Sequence, residues 1–117
     1  MKKVYYLSTC DTCKRIMKEV GVDDSFIQQD IKTNSISEQQ LNELLKKVNS
    51  PEELLNKRAR KFTELGLKET KLSDSDIKNY ILTEYTFLKR PVFIIDTEIF
   101  IGNSKKNIEQ LKHKLGA

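Results

Sequence analysis

Two cysteines, the only two in this 117-residue chain, stand close together at Cys10 and Cys13. The motif Cys10-Asp11-Thr12-Cys13 follows a short apolar run, 4–7, and precedes a helix-like stretch, 14–20. A cysteine at a helix N-terminus faces unpaired backbone N–H groups and the positive end of the helix dipole, which favour thiolate over thiol. Because the thiolate is the nucleophile, this position predicts a reactive Cys10. Cys13 lies one turn later, so we expect it to face the same side and to form a disulfide with Cys10.

Two other roles for the cysteine pair remain open from the residues alone. A structural disulfide is disfavoured, because so small a ring stabilises a fold little and nothing marks the chain as secreted. A zinc site would need two more ligands, and the only other good candidate is His113, the single histidine, near the C-terminus. Redox chemistry is the interpretation that we favour, and we expect no bound metal.

Length and composition indicate an ordinary globular domain with its own hydrophobic core, since 38% of the residues are hydrophobic and 32% are charged. No apolar run approaches the ~18 residues that cross a membrane, and no apolar leader is present. We therefore expect a cytoplasmic protein without membrane association, and we expect it to be a monomer. The net charge is +4, but the basic residues are scattered and lack interleaved aromatic residues, so we expect no direct nucleic-acid binding.

Capping signals and apolar spacing divide the chain into helices and strands. Ser37 begins a capping box before an amphipathic helix, Ser50-Pro51 and Ser73 mark further helix starts, and Ser104 precedes a last helix. A short helix from Arg58 is expected to end at Gly66. Strands are predicted at 4–7, 25–31, 92–95 and 99–101, and a tight turn joins the last two.

This order, β-α-β, a helical block and then β-β-α, predicts an α/β protein with the thioredoxin-like fold. We expect a four-stranded mixed sheet, its first two strands parallel and its hairpin antiparallel, with an inserted helical subdomain. The prediction is one domain over 1–117, in which 2–31 and 87–115 form the thioredoxin-like part and 36–86 the helical insert.

Arginine is scarce among the basic residues, which number 21 in total and include only four arginines: Arg15, Arg58, Arg60 and Arg90. In a lysine-rich chain, an arginine more plausibly marks a position that needs a planar, bidentate donor. The neighbouring Pro91 supports Arg90 as a site residue, because Pro91 precedes the hairpin at the place where thioredoxin folds carry a cis-proline facing the reactive thiol. Only X–Pro bonds adopt cis readily, so we expect a cis bond between these two residues.

These features together resemble the arsenate reductase family, which includes glutathione-dependent arsenate reductases, the Spx regulators and YffB-like proteins. The matching segments are the C-x-x-C motif at 10–13, the Lys57-Arg58 stretch before Phe62-x-x-Leu65-Gly66-Leu67, and Arg90-Pro91-Val92-Phe93-Ile94. Their order and spacing match over nearly the whole chain. The motifs are specific in combination rather than singly.

The resemblance implies a thiol-dependent oxidoreductase in which Cys10 is the nucleophile and Cys13 the resolving thiol. It implies that Arg58 and Arg90 bind an anion or lower the thiolate pKa, because a guanidinium stabilises a thiolate by charge and holds an oxyanion by two N–H bonds. The expected substrate is a small oxyanion or a disulfide. The expected external reductant is thioredoxin, or glutathione with glutaredoxin, and no cofactor is expected to be bound. The remaining substrate-binding candidates are Arg60, Thr12 and Pro91.

Three departures separate this chain from the named branches. Arsenate reductases carry a third arginine just after the hairpin, where this chain reads Gly102-Asn103-Ser104-Lys105, and the glutathione-dependent enzymes typically lack a counterpart of Cys13. Spx proteins have the C-x-x-C motif, but Ser50 aligns with the glycine by which they contact RNA polymerase. The alternative function is therefore an Spx-like redox-sensing transcriptional regulator that binds the RNA polymerase α subunit.

Overall fold

The computed structural model describes residues 1–116 and divides them into two compact units, each of which is described here by itself. One unit contains residues 1–34 and the segment that begins at Arg90, and the other runs from Ser35 to Lys89. The α-helices of the chain are α1 (Asp11–Val20), α2 (Glu38–Leu45), α3 (Arg60–Glu64), α4 (Asp74–Thr83) and α5 (Lys105–Leu115). No helix within residues 1–116 is both long and apolar enough to cross a membrane.

A four-stranded mixed sheet forms the centre of the first unit. Its strands are β1 (Lys2–Tyr6), β2 (Ile27–Asp30), β3 (Val92–Ile95) and β4 (Glu98–Ile101), in the spatial order β2-β1-β3-β4. β1 pairs with β2 in parallel and with β3 antiparallel, and β3 and β4 form an antiparallel hairpin. The predicted α/β fold, with its parallel first pair and its antiparallel hairpin, is therefore confirmed.

Helices α1 and α5 supply the apolar side chains that close the core of this unit against the sheet. Phe26 and Phe93 meet edge to face, with ring centroids 6.2 Å apart. The two helices are also joined at their surface, because Lys112 pairs with Glu19 at 3.3 Å. This packing holds α1, the helix that begins within the cysteine motif, against the sheet. The buried core comprises Val4, Ile16, Val20, Phe26, Phe93, Ile95, Phe100, Ile108 and Leu111.

The second unit is helical, and its helices start where the capping signals predict. Ser37 and Ser73 each form a complete capping box, in which the serine hydroxyl accepts from a backbone N–H and a side chain three residues later accepts in return. Ser50 also forms a capping box, but the segment that it opens, Pro51–Leu54, is a single 3₁₀ turn rather than an α-helix. The turn stops there because the backbone becomes extended at Leu55.

That extended backbone also moves one predicted boundary. Leu55 pairs antiparallel with Leu88, and the N–H of Lys89 donates to the carbonyl of Leu54 at 2.8 Å. Residues 87–89 are thereby tied to the helical unit, so the thioredoxin-like part resumes at Arg90 and not at 87 as predicted. The short helix predicted from Arg58 begins at Arg60, because the residue before it, Ala59, has non-helical backbone angles (φ −59°, ψ 136°).

The predicted second strand is also shorter than expected, because its first residues belong to a turn. The Asp23 carboxylate accepts the N–H of Ser25 at 2.9 Å, and the Asp23 carbonyl accepts the N–H of Phe26 at 3.0 Å. The strand therefore spans Ile27–Asp30 instead of 25–31.

Candidate active site

Cys10 lies at the start of α1, in the position that the sequence predicts. It is the N-cap residue, with extended backbone angles (φ −99°, ψ 109°), and its own N–H donates to the Leu7 carbonyl at 2.9 Å. The helix begins at Asp11, and the Cys10 carbonyl accepts the N–H of Lys14 at 3.2 Å. The Cys10 thiol therefore lies beside backbone N–H groups that stabilise an anion.

The surroundings of Cys10 lower its pKa. Burial acts in the opposite direction and is the largest single influence, because the thiol is half-buried. Hydrogen bonds from the backbone and the thiol of Cys13, together with the positive charge of Arg90 and a hydrogen bond from its guanidinium, outweigh burial. The net effect favours the thiolate of Cys10, which is the form that reacts.

Cys13 is the opposite case, and its thiol is held protonated. Its side chain has no exposed surface. Its pKa is raised to about 12 in total, because burial and the neighbouring Cys10 thiolate raise it by more than a backbone hydrogen bond from Leu7 and the charge of Arg90 lower it. Cys13 therefore donates a hydrogen bond to Cys10. Of the two free cysteines, Cys10 is the more exposed and more acidic thiol, and Cys13 is the more buried one.

The segment before β3 brings a guanidinium to the cysteine pair. The bond between Arg90 and Pro91 is cis, as predicted from the sequence. Pro91 is buried, and its carbonyl accepts the N–H of Gly102 at 2.9 Å, which ties the start of β3 to the end of the hairpin. Arg90 is half-buried and acts on both thiols, by charge on Cys13 and by charge and a hydrogen bond on Cys10.

The other predicted site residues have the following places. Thr12 is the second residue of α1 and is half-buried. Arg58 and Arg60 lie in the helical unit, where both side chains are exposed. The Arg58 backbone is held by Asn56, whose side-chain oxygen accepts the Arg58 N–H at 3.1 Å and whose amide donates to the carbonyl of Thr86 at 3.2 Å. Binding of a substrate by Thr12, Arg58 or Arg60 stays a prediction.

One contact near Cys10 was not predicted from the sequence. Asp30, the last residue of β2, accepts the N–H of Ser8 at 3.2 Å through its carboxylate. Ser8 lies in the loop between β1 and α1, two residues before Cys10. No local motif indicates this contact, because the parallel register that places Asp30 opposite Tyr6 is a property of the sheet.

Comparisons with known proteins agree with this geometry. The model of the ArsC family matches residues 5–111. A search of curated proteins finds no significant match.

Among solved structures, a protein named YFFB superposes with a TM-score of 0.80 at 19% identity, covering 98% of this chain and 99% of that one. A possible arsenate reductase from Streptococcus mutans superposes with a TM-score of 0.70 at 22% identity, covering 95% and 97%. An arsenate reductase from Vibrio cholerae has a TM-score of 0.75 at 15% identity, covering 96% and 95%.

The structural likenesses, at these identities, establish the thioredoxin-like fold of the chain. The family model spans nearly its whole length and includes the cysteine motif and the Arg90-Pro91 segment. The resemblance inferred from the sequence is thus confirmed, and this chain belongs to the ArsC family.

Proposed function

We propose that this protein is a thiol-dependent reductase in which Cys10 attacks the substrate and Cys13 resolves the adduct. The observation that carries the proposal is the asymmetry of the pair: the pKa of Cys10 is lowered at a helix start beside Arg90, whereas that of the buried Cys13 is raised to about 12. A thiolate that is accessible and a protonated thiol in reserve behind it suit a two-step exchange.

With a disulfide substrate, the Cys10 thiolate forms a bond to one sulfur while the substrate S–S bond breaks and releases the other sulfur as a thiolate. Cys13 then loses its proton and attacks the Cys10 sulfur, which releases the second half of the substrate. The protein ends as the Cys10–Cys13 disulfide, and two electrons have passed to the substrate.

With an oxyanion substrate, the same two cysteines supply two electrons, Cys13 supplies one proton and the solvent supplies the other. The oxyanion loses one oxygen as water, and the protein again ends as the intramolecular disulfide. Thioredoxin, or glutathione with glutaredoxin, restores the dithiol by exchange, so the proposal needs no bound cofactor. A cytoplasmic location would supply these reductants and keep the pair reduced between turnovers.

We assign substrate binding to the guanidinium of Arg90, and Thr12, Pro91, Arg58 and Arg60 are the further candidates that the family resemblance supplies. Arg90 supports this assignment best, because it already interacts with the Cys10 sulfur at which an anion or a disulfide must react. An arginine suits such a position because it offers two parallel N–H donors to an oxyanion.

The proposal is tested by trapping the first intermediate. We expect the Cys13→Ser variant, mixed with a small aromatic disulfide, to accumulate a mixed disulfide on Cys10, and the wild type to form the internal disulfide instead. Mass spectrometry of the intact protein and of its peptides separates the two. The Cys10→Ser variant is the matched control and should form neither product. A mixed disulfide that accumulates on Cys13, or an active Cys10→Ser variant, would contradict the proposed roles.

Turnover is measured separately with arsenate and with a disulfide, each with the thioredoxin and the glutaredoxin systems.

The alternative of a redox-sensing regulator gains no support from the structure, because the Ser50 side chain is used as a helix cap, accepting the N–H of Glu52 at 3.1 Å. Capture of the RNA polymerase α subunit by the reduced or oxidised protein, without turnover, would favour that alternative instead.

A further inference from the structure

A carboxylate outside the cysteine motif holds the loop that leads to Cys10. One oxygen of Asp30 accepts two backbone N–H groups, that of Ser8 at 3.2 Å and that of Lys32 at 3.1 Å. Burial raises the pKa of Asp30, but hydrogen bonds from the side chain and backbone of Ser8 and from the Lys32 backbone outweigh it and lower the pKa overall. The carboxylate is therefore ionised near neutral pH and is a strong acceptor.

The contact joins the ends of two neighbouring strands that are distant in sequence. Asp30 pairs with Tyr6 in the parallel register of β1 and β2, and the Tyr6 carbonyl accepts the N–H of Ile31 at 2.9 Å. These bonds fix Asp30 at the edge of the sheet where β1 ends. Ser8 is the second residue after β1, so its bond to Asp30 fixes the path of the chain as it leaves the strand.

The same loop ends at the reactive thiol. The turn from Leu7 closes when the Cys10 N–H donates to the Leu7 carbonyl, and α1 begins at the next residue. Ser8 lies inside this turn, with Thr9 as the only residue between it and Cys10. A displacement of Ser8 would therefore move the Cys10 sulfur relative to the N–H groups of α1 and to the guanidinium of Arg90.

We propose that Asp30 is a positioning residue for the Cys10 nucleophile, acting through its hydrogen bond to the Ser8 backbone. The proposal rests on the proposed role of Cys10, but it concerns the state of the thiol and not turnover. It can therefore fail while Cys10 remains the nucleophile, and it can hold in a protein that reduces no tested substrate.

A direct effect of the Asp30 charge on Cys10 would change the Cys10 pKa in the opposite direction from a positioning effect, which makes the proposal testable. If the negative charge of Asp30 acted directly on Cys10, its removal would favour the thiolate and lower the Cys10 pKa. If Asp30 acts by holding the loop, removal of the acceptor should loosen the stabilising contacts of the thiolate and raise that pKa. The Asp30→Asn variant removes the charge but keeps a side-chain oxygen that can accept the Ser8 N–H.

The experiment compares Asp30→Ala and Asp30→Asn with the wild type by thiolate absorbance and by alkylation of Cys10 at a fixed pH near neutrality. We expect Asp30→Ala to move the thiolate transition to higher pH and to slow alkylation by roughly threefold or more, and Asp30→Asn to recover most of this loss. Asp23→Ala is the matched control, because Asp23 also accepts a backbone N–H in a loop of the same unit, that of Ser25 at 2.9 Å. This control should leave Cys10 unchanged.

Backbone amide exchange provides a second readout, which can be used even if Asp30→Ala does not fold. We expect the Ser8 amide of the wild type to be protected and to lose at least about tenfold of its protection in Asp30→Ala or, if that variant does not fold, in Asp30→Leu. A transition at lower pH in both Asp30→Ala and Asp30→Asn would assign the effect to charge and overturn the proposal. Unchanged Cys10 reactivity in folded Asp30→Ala, or an unprotected Ser8 amide in the wild type, would also overturn it.

Discussion

Raising the pH should destabilise this protein through Cys13, whose environment disfavours a thiolate. Burial and the Cys10 thiolate raise the pKa of Cys13 from the ordinary 9.0 to about 12. The unfolded chain titrates at the ordinary value, so above it the unfolded chain releases a proton that the folded protein keeps. Stability is therefore fully present below the unfolded pKa, and it is lost as the pH rises towards the folded pKa.

The size of the loss follows from the difference between the two pKa values. Between about pH 9.5 and about pH 11, the Cys13 thiol is mostly ionised in the unfolded chain and mostly protonated in the folded protein. Without solvent screening, the free energy of unfolding should therefore fall by about 2 kcal/mol across this range. Solvent around the half-buried Cys10 screens part of its interaction with Cys13, so we expect the free energy of unfolding to fall by about 1 kcal/mol. Cys10 contributes little change in this range, because it is a thiolate in both states.

The assay is urea unfolding of the reduced protein at the two pH values, for the wild type and for Cys13→Ala. Lysine and tyrosine side chains also titrate in this range, but they do so in both proteins, so the difference between the two pH dependences isolates Cys13. The free energy of unfolding of the wild type should fall more steeply than that of the variant. Equal slopes, or a steeper fall in Cys13→Ala, would refute the assignment of a raised pKa to Cys13.

Substitutions at three further positions test other parts of the structure. Arg90→Ala should raise the Cys10 pKa, measured by thiolate absorbance, because it removes both a charge and a hydrogen bond, and Arg90→Lys should raise it less because the charge remains. Phe93→Ala should lower the free energy of unfolding by about 3–5 kcal/mol, measured with urea, because Phe93 has no exposed surface and packs on Phe26. Asn56→Ala should cost about 1 kcal/mol in the same assay, because two hydrogen bonds of its side chain are lost.

Much of the fold follows from signals that are local in the chain. The serine caps at Ser37 and Ser73 predict helix starts, since a hydroxyl and the acceptor three residues later satisfy each other's backbone donors. The same signal at Ser50 predicts only the start and not the length, because the extended backbone at Leu55 depends on pairing with Leu88, far along the chain. Pairing between distant segments has no local signature.

The site divides in the same way. A cysteine before a helix and a proline before a strand are local patterns, and they correctly predict the N-cap position of Cys10 and the cis bond before Pro91. The hydrogen bond that the Ser8 N–H donates to Asp30 requires the register of β1 and β2, which the sequence does not specify residue by residue. The roles of Arg58 and Arg60 rest on the family resemblance and stay predictions.

The most direct test of the central claim is the thiolate titration of Cys10, followed by absorbance near about 240 nm in the reduced protein. The ordinary pKa of a cysteine is 9.0, and the surroundings of Cys10 lower its pKa below that value. We predict a wild-type transition clearly below that ordinary value and its complete loss in Cys10→Ser. A wild-type transition at or above the ordinary value, or a low-pH transition that survives in Cys10→Ser, would contradict the assignment of Cys10 as the nucleophile.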